Sequence, residues 1–231
     1  MKLVTYLHDG AERAGLFSGD GSVVRPLPCP DLNSLIESGD WERIAGQAGE
    51  ETPLERVTLL APIPRPRQDM ICLGMNYKDH LEEAAGYDAG AFAKEKPVAV
   101  YFSKRVTEAV PPEGYIQSHT ELTERLDYEA ELAVILGRTA KNVKAAEAGD
   151  YIFGYTIVND VSARDVQTGH KQWYFGKSLD GFTPMGPCIV TADEIAFPPA
   201  LEISAKVNGE TRQRANTAWL INSIGQVLEE L

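Results

Sequence analysis

The stretch from Asp127 to Leu136 constrains the fold more than any other part of the chain. A polar start that carries Glu129 and Glu131 runs into a continuous apolar segment, which Gly137 ends. A short apolar run bounded by a glycine predicts a buried β-strand. Side chains two residues apart in a strand point to the same face, so the two glutamates project side by side. We therefore expect two carboxylates at the mouth of one buried strand.

These paired carboxylates favour a bound cation. Adjacent carboxylates repel each other unless a cation lies between them, and Mg²⁺ or Mn²⁺ is the kind of hard ion that such oxygen ligands bind. Asp160 follows another apolar segment, residues 151–158, and could join Glu129 and Glu131 if the two strands are neighbours. Taken alone, the glutamates fit a solvated strand face equally well, and Asp160 alone fits an ordinary strand-end cap better.

Composition narrows the class of partner and the compartment. The net charge of the 231 residues is −12, from 22 basic and 34 acidic side chains, which argues against a nucleic-acid or anionic-membrane partner. Cys29, Cys72 and Cys188 have neither CxxC nor zinc spacing, as expected in a reducing compartment. We see no signal peptide and no apolar run of about 20 residues. We expect a soluble, cytoplasmic protein without a membrane span.

A proline-rich segment divides the chain. Pro62, Pro64 and Pro66 fall within five residues, and such a segment predicts a stiff, extended connector. We predict a small N-terminal accessory β/α domain over residues 1–61, a linker over 62–69 and a second domain over 70–231. Strands outnumber helices, so the expected fold class is β-rich mixed α+β.

Two local signals mark the C-terminal region. Asn208-Gly209 ends an alternating strand and predicts a hairpin. Residues 216–231 predict an amphipathic helix, because their larger apolar side chains fall on one side at helical spacing.

Three motifs together resemble the fumarylacetoacetate hydrolase family. The match runs from about Ile71 to the C-terminus, and its motifs are Glu129-x-Glu131, Asn159-Asp160-Val161-Ser162-Ala163-Arg164-Asp165-Val166-Gln167 and Gly176-Lys177-Ser178-Leu179-Asp180-Gly181-Phe182-Thr183-Pro184-Met185-Gly186-Pro187. The resemblance implies a β-roll catalytic domain that binds one Mg²⁺ or Mn²⁺ through Glu129, Glu131 and Asp160. It also implies a homodimer and a small anionic oxo-acid substrate.

The resemblance assigns roles to further residues. His80 and Glu83 match the family's His-x-x-Glu dyad, in which the histidine takes a proton from water and the glutamate orients the ring. Lys177 corresponds to a lysine that meets the substrate's developing oxyanion or its carboxylate. The loop over residues 87–96 is expected to act as a lid.

The segment after Asp160 is expected to line the substrate pocket through Arg164 and Gln167. An equally weighted alternative is that Arg164 pairs structurally with Asp165 or Glu131.

The expected reaction is divalent-metal-dependent hydrolysis of a C–C bond in an acylpyruvate or related β-diketo or 2-oxo acid, through a metal-stabilised enolate. One alternative is an isomerase or decarboxylase of a 2-oxo or 2-hydroxymuconate-type dioate on the same site. Family members continue with a Thr-Gly-Thr-Pro-like segment that this sequence lacks, so we expect that a C-terminal part is missing from it. A non-catalytic dimeric scaffold is the alternative if that segment is truly absent.

Overall fold

The computed structural model describes residues 1–77 and 98–231. In chain order its strands are β1 (Lys2–His8), β2 (Ala11–Phe17), β3 (Val23–Pro26), β4 (Thr52–Pro53), β5 (Thr58–Leu59), β6 (Met70–Gly74), β7 (Val100–Lys104), β8 (Leu126–Asp127), β9 (Ala130–Leu136), β10 (Ile152–Asn159), β11 (Ser162–Ala163), β12 (Met185–Thr191), β13 (Glu202–Val207) and β14 (Glu210–Asn216). The α-helices of this part of the chain are α1 (Leu32–Ser38), α2 (Trp41–Ala45), α3 (Arg164–Gly169), α4 (Tyr174–Lys177) and α5 (Ile224–Glu230). The expectation of a β-rich α+β fold is confirmed.

One eight-stranded antiparallel sheet organises the described residues. Its order is β4-β3-β2-β1-β12-β10-β9, and β5 also pairs with β1. Strand β1 connects the N-terminal strands to the later ones, because Lys2 and Leu3 pair with Val190 and Ile189 of β12. The predicted accessory module therefore shares a continuous sheet with the later strands, and the proposed division at residues 61–70 stays a prediction.

The main hydrophobic core joins the first helices to this sheet. Aspartate is a favoured N-cap residue, so the sequence predicts that Asp31 begins a helix through Leu32, Leu35 and Ile36. The structure agrees, because the Asp31 side chain accepts a hydrogen bond of 2.6 Å from the Ser34 N–H at the start of α1. The apolar face of α1 then packs into a cluster to which β1, β2, β10 and β12 also contribute side chains. Buried members of this cluster include Leu3, Ala14, Leu27, Leu32, Leu35, Ile36, Phe153, Val158, Met185 and Ile189.

The pairing of β9 with β10 brings the acidic motifs together. Glu131 lies opposite Val158 in the antiparallel register, and Ala130 lies opposite Asn159. Two hydrogen bonds extend the pairing by one residue, from the Asp160 N–H to the Glu129 carbonyl oxygen at 2.7 Å and from the Glu129 N–H to the Asn159 Oδ1 at 3.0 Å. The start of β9 and the end of β10 therefore meet at one edge, as the sequence required for a shared site.

The C-terminal prediction is right for the hairpin and wrong for the position at which the helix begins. Asn208 and Gly209 adopt φ values of 52° and 82° between β13 and β14, which are typical of a tight hairpin turn. The hairpin carries strand structure as far as Asn216, so a helix cannot begin there. Helix α5 begins only at Ile224, after a capping box in which Ser223 and Gln226 hydrogen-bond to each other's backbone. In the described part of the chain, no helix is long and apolar enough to span a bilayer.

The shared sheet predicts that β1 contributes to global stability. We expect Leu3→Ala to lower the free energy of unfolding by about 2–5 kcal/mol, because Leu3 is 0% exposed and its truncation leaves a cavity. Leu7→Ala is the matched control on the same strand, where the side chain is 39% exposed, and it should lower stability by less than about 1 kcal/mol. Urea unfolding followed by circular dichroism measures both. Equal losses would contradict an integral role for β1.

Candidate active site

Lys177 bridges two of the carboxylates predicted from sequence. Its Nζ lies 2.6 Å from Glu129 Oε2 and 2.9 Å from Asp160 Oδ2. The side chain is only 2% exposed and projects from the last residue of α4. A buried ammonium group is stable only beside such negative partners. The structure thus brings Glu129, Asp160 and Lys177 into direct contact.

A second buried lysine, which the sequence reasoning missed, holds Asp160 from the other side. Lys104 Nζ lies 2.7 Å from Asp160 Oδ1 and donates hydrogen bonds to the carbonyl oxygens of Val161 at 3.1 Å and Lys177 at 2.5 Å. The only sequence signal for this role is the alternation of β7, which puts Lys104 on the same face as Phe102. Lys104 therefore ties the end of β7 to both site segments.

The charges around Asp160 determine its protonation. Burial by itself would raise the pKa of Asp160, but the adjacent ammonium groups of Lys104 and Lys177 lower it below the ordinary value. Burial lowers the pKa of Lys104, and the charge of Asp160 partly offsets that shift. The short contact between Lys104 Nζ and Asp160 Oδ1 lies outside hydrogen-bond geometry. Asp160 Oδ1 is consequently a buried acceptor without a hydrogen bond to any described residue.

Arg164 completes the positive side of the cluster. Its guanidinium lies 2.6 Å from Glu129 Oε1 and 2.7 Å from Asp127 Oδ2, and its Nη1 donates to Gln167 Oε1 at 3.1 Å. The alternative pairing of Arg164 with Asp165 or Glu131 is wrong for its described contacts. Asp165 instead accepts hydrogen bonds from the Thr123 hydroxyl and the Glu124 N–H.

Among the described carboxyl groups with a resolved pKa shift, Glu131 is the one whose pKa is raised. Burial raises its pKa to about 8, and the charges of Glu129 and Asp160 add to the shift. Oxygen ligands of this kind suit Mg²⁺ or Mn²⁺, and Asp160 Oδ1 is an acceptor that a cation could satisfy. Within residues 1–77 and 98–231, however, no three Asp, Glu, His or Cys side chains surround a common metal position. The oxygen donors are of the kind that a divalent ion prefers. In this structure, however, Glu129 and Asp160 contact the ammonium group of Lys177.

Two cavities adjoin the cluster and share Glu129 and Glu131. The first has a volume of about 300 Å³ and is lined by the polar side chains of Lys177, Arg164 and Gln167 and by the rings of Phe102 and Trp173, whose centroids lie 5.3 Å apart. The second, of about 390 Å³, is lined mainly by apolar side chains of β6, β9 and α5, together with Lys104 and Asp160. The first cavity therefore combines hydrogen-bond donors with aromatic rings.

The predicted dyad of His80 and Glu83 and the predicted lid over residues 87–96 lie outside the described residues. The chain just before them is anchored, because Asn76 exchanges hydrogen bonds with Asn222 and Tyr77 pairs with Leu220. Asn76 and Tyr77 both line the first cavity.

The family model for the fumarylacetoacetate hydrolase C-terminal domain matches residues 69–231. The chain belongs to the fumarylacetoacetate hydrolase family. Members of this family are enzymes, among them hydrolases, isomerases and tautomerases. The family predicted from the glutamate pair and the two downstream motifs is confirmed, whereas the roles of the individual site residues stay predictions.

Among curated relatives, the oxaloacetate tautomerase YisK of Bacillus subtilis is 42% identical over 178 residues, which are 77% of this chain and 58% of that protein. The mitochondrial oxaloacetate tautomerase FAHD2A of Bos taurus is 40% identical over 236 residues, covering 96% of this chain and 72% of the relative. This chain thus spans little more than half the length of the Bacillus relative.

Solved structures share the whole described architecture. A fumarylacetoacetate hydrolase from Exiguobacterium antarcticum matches with a TM-score of 0.84 at 35% identity and covers 100% of this chain and 80% of that one. A maleylpyruvate hydrolase from Sphingobium, solved with manganese and pyruvate, matches with a TM-score of 0.73 at 26% identity, covering 100% of this chain and 82% of that one.

Close packing of α4 on α3 positions Lys177, which predicts sensitivity at Gly176. A Cβ at Gly176 would lie 2.5 Å from the Gln167 backbone nitrogen and 2.7 Å from its Cα, so α4 would have to move. We expect Gly176→Ala to lower the free energy of unfolding by about 1–3 kcal/mol through overpacking. Gly169→Ala adds the same methyl group to open space and serves as the control. Thermal unfolding distinguishes them, and an unchanged Gly176→Ala variant would refute the close-packing argument.

Proposed function

We propose that this chain binds a small 2-oxo acid in the first cavity and moves a proton on the carbon next to its keto group. The leading candidate activity is keto–enol tautomerisation of a 2-oxo dicarboxylate. One observation carries the proposal. The buried ammonium of Lys177 lies beside Glu129 and Asp160, and Lys177 lines the first cavity together with Arg164 and Gln167. The names of two relatives at 40–42% identity, both oxaloacetate tautomerases, support this reaction.

The same proposal includes a divalent ion. Glu129, Glu131 and Asp160 are the residues that would hold Mg²⁺ or Mn²⁺. Asp160 Oδ1 supports this assignment, because it is buried and accepts no hydrogen bond from a described residue, although Lys104 Nζ lies 2.7 Å away as an ion-pair partner. When bound, such an ion supplies Lewis-acid polarisation of the substrate oxygens. The manganese in the maleylpyruvate hydrolase structure gives independent support from a structural relative.

The described side chains suit the recognition of a small anion. Lys177 Nζ would donate a hydrogen bond to the substrate oxygen that gains negative charge, which is electrostatic stabilisation in a site sheltered from water. Gln167 Oε1 already accepts from Arg164, and the Gln167 amide nitrogen, which makes no hydrogen bond to a described residue, would donate to the substrate. The rings of Phe102 and Trp173 would exclude water from part of the same cavity. The volume of about 300 Å³ restricts the ligand to a small molecule.

Hydrolysis of a C–C bond in an acylpyruvate is the second candidate. The sequence match of His80 and Glu83 to the family's dyad favours it, because hydrolysis needs a base that prepares water. For either activity, a homodimer is proposed on the resemblance and a cytoplasmic location on the cysteine pattern.

Product identification tests the choice between these activities. The protein is incubated with Mg²⁺ or Mn²⁺ and with either the enol form of oxaloacetate or an acylpyruvate. Faster ketonisation without new carbon fragments supports the tautomerase, and release of pyruvate with a second carboxylic acid supports the hydrolase. Metal binding without turnover of any oxo acid would favour the non-catalytic scaffold.

Replacing Glu131 with Gln should separate stability from metal binding. Burial, together with the charges of Glu129 and Asp160, raises the pKa of Glu131 to about 8, so its charged form is unfavourable when no metal is bound. We therefore expect Glu131→Gln to raise the melting temperature in the presence of a chelator by about 2–4 °C. Its affinity for Mn²⁺ should fall by at least about tenfold, since even residues outside the ligand set change affinity by about 10–100-fold. Calorimetry and Mn²⁺ titration measure the two effects. Unchanged Mn²⁺ affinity would remove Glu131 from the ligand set.

Replacing His80 with Ala tests the predicted dyad. If His80 prepares water, the variant should lose at least about 100-fold in hydrolytic turnover while Mn²⁺ affinity stays near that of the original chain. His8→Ala is the control, since His8 lies at the end of β1 and pairs with Asp9. Hydrolysis that survives in His80→Ala would exclude this histidine as the base.

A further inference from the structure

The oxygen atoms of Glu129 and Asp160 are already engaged by cationic side chains. Glu129 Oε1 lies 2.6 Å from Arg164 and Oε2 lies 2.6 Å from Lys177. Asp160 Oδ1 lies 2.7 Å from Lys104 and Oδ2 lies 2.9 Å from Lys177. A divalent ion that bound both carboxylates would have to share these oxygens with the cations or displace a cation from them.

The three cations differ in how firmly they are held. Lys104 is 0% exposed, and its ammonium also donates to two backbone carbonyl oxygens. Arg164 is tied to Asp127 and Gln167 in addition to Glu129. The hydrogen bonds that Lys177 Nζ makes with described residues go only to Glu129 and Asp160. Lys177 is therefore the cation whose movement alone frees one oxygen on each carboxylate.

A destination for Lys177 adjoins the cluster. Its side chain lines the cavity of about 300 Å³, and its Nζ lies 5.1 Å from the centroid of the Phe102 ring. An aromatic face attracts an ammonium group at such distances. Repulsion between a divalent ion and an ammonium only a few ångströms away in a poorly screened site would favour the move.

We propose that the Lys177 ammonium holds the place of the divalent ion in the metal-free protein, and that metal binding displaces it into the cavity. The inference rests on the proposed metal dependence and adds that metal binding is coupled to the movement of Lys177. The same event that loads the metal delivers Lys177 Nζ to the space where substrate oxygens bind. Metal-free protein is then held in a charge-balanced resting form by an internal cation.

Variants that remove one lysine at a time test the competition. Free Mn²⁺ is followed by electron paramagnetic resonance during titration, at fixed pH and ionic strength and without substrate. Lys177→Met should bind Mn²⁺ at least about tenfold more tightly than the original chain, because two charge-assisted hydrogen bonds no longer have to be broken. Equal or weaker binding by Lys177→Met, in a variant that unfolds cooperatively, would overturn the proposal.

Two matched variants separate competition from a general effect of charge. Lys104→Met also removes an ammonium beside Asp160, but not one that bridges two carboxylates, so the gain in affinity should stay below about threefold. Lys177→Arg keeps the charge and should bind Mn²⁺ no more tightly than the original chain. Equal gains from Lys177→Met and Lys104→Met would show that the electric field, and not displacement, sets the affinity.

The unmodified protein offers a second measurement that does not depend on how a variant folds. Lysines are acetylated briefly with acetic anhydride, with and without Mn²⁺, and the modified residues are identified by mass spectrometry. Modification of Lys177 should increase at least about threefold on addition of Mn²⁺, because a freed amine is more accessible, while Lys104 stays protected. Unchanged or lower modification of Lys177 in Mn²⁺-bound protein would show that the metal shares its oxygens with the lysine.

The outcomes also separate this inference from the proposed function. If the original chain binds Mn²⁺ and Lys177→Met binds it no better, only the displacement is refuted. If neither the original chain nor any variant binds Mn²⁺, both the proposed metal-dependent function and the proposed displacement of Lys177 are refuted.

Discussion

Asp160 lies between two buried ammonium groups, and this interaction determines how the surrounding elements meet. Its carboxylate contacts Lys104 from β7 and Lys177 from α4, while its own N–H extends the pairing of β10 with β9. Removing one partner from a buried ion pair leaves an uncompensated charge, a change that destabilises proteins by about 3–5 kcal/mol. The cluster therefore tolerates few substitutions, and it fixes three separate parts of the chain around one point.

The site is close to charge-balanced, although the whole chain is acidic. The chain carries a net charge of −12, which would repel an anion at long range. Over distances beyond about 8–10 Å this repulsion is screened at physiological ionic strength, and the nearby cations decide what binds. Lys177 and Arg164 line a cavity with Phe102 and Trp173, so a small anion would find both hydrogen-bond donors and apolar rings there. Overall acidity is thus compatible with an acidic substrate.

The parts of the fold that could be predicted are those encoded over short distances. The i, i+2 spacing of Glu129 and Glu131, the Asn208-Gly209 hairpin and the Asp31 cap each depend on a few adjacent residues, and all three agree with the structure. The contact of Lys104 with Asp160 could not be predicted, because 56 positions separate the residues and a strand-end lysine is ordinarily solvated. The partners of Arg164 were misjudged for a similar reason. Asp165 is adjacent in sequence, whereas Asp127 reaches the guanidinium only after β8 pairs with β11.

The junction between Asn76 and Asn222 has a consequence for how reactions diverge in this fold. Hydrogen bonds across 146 positions fix the backbone at the last described residues before the segment that carries His80. A change at Asn222 or Leu220 would remove contacts that hold Asn76 and Tyr77, and neither Asn222 nor Leu220 takes part in the ion pairs of the carboxylate cluster. A change of reaction could therefore arise from residues far in sequence from the acidic motifs. Comparisons of related enzymes should examine residues 220–222 as closely as those motifs.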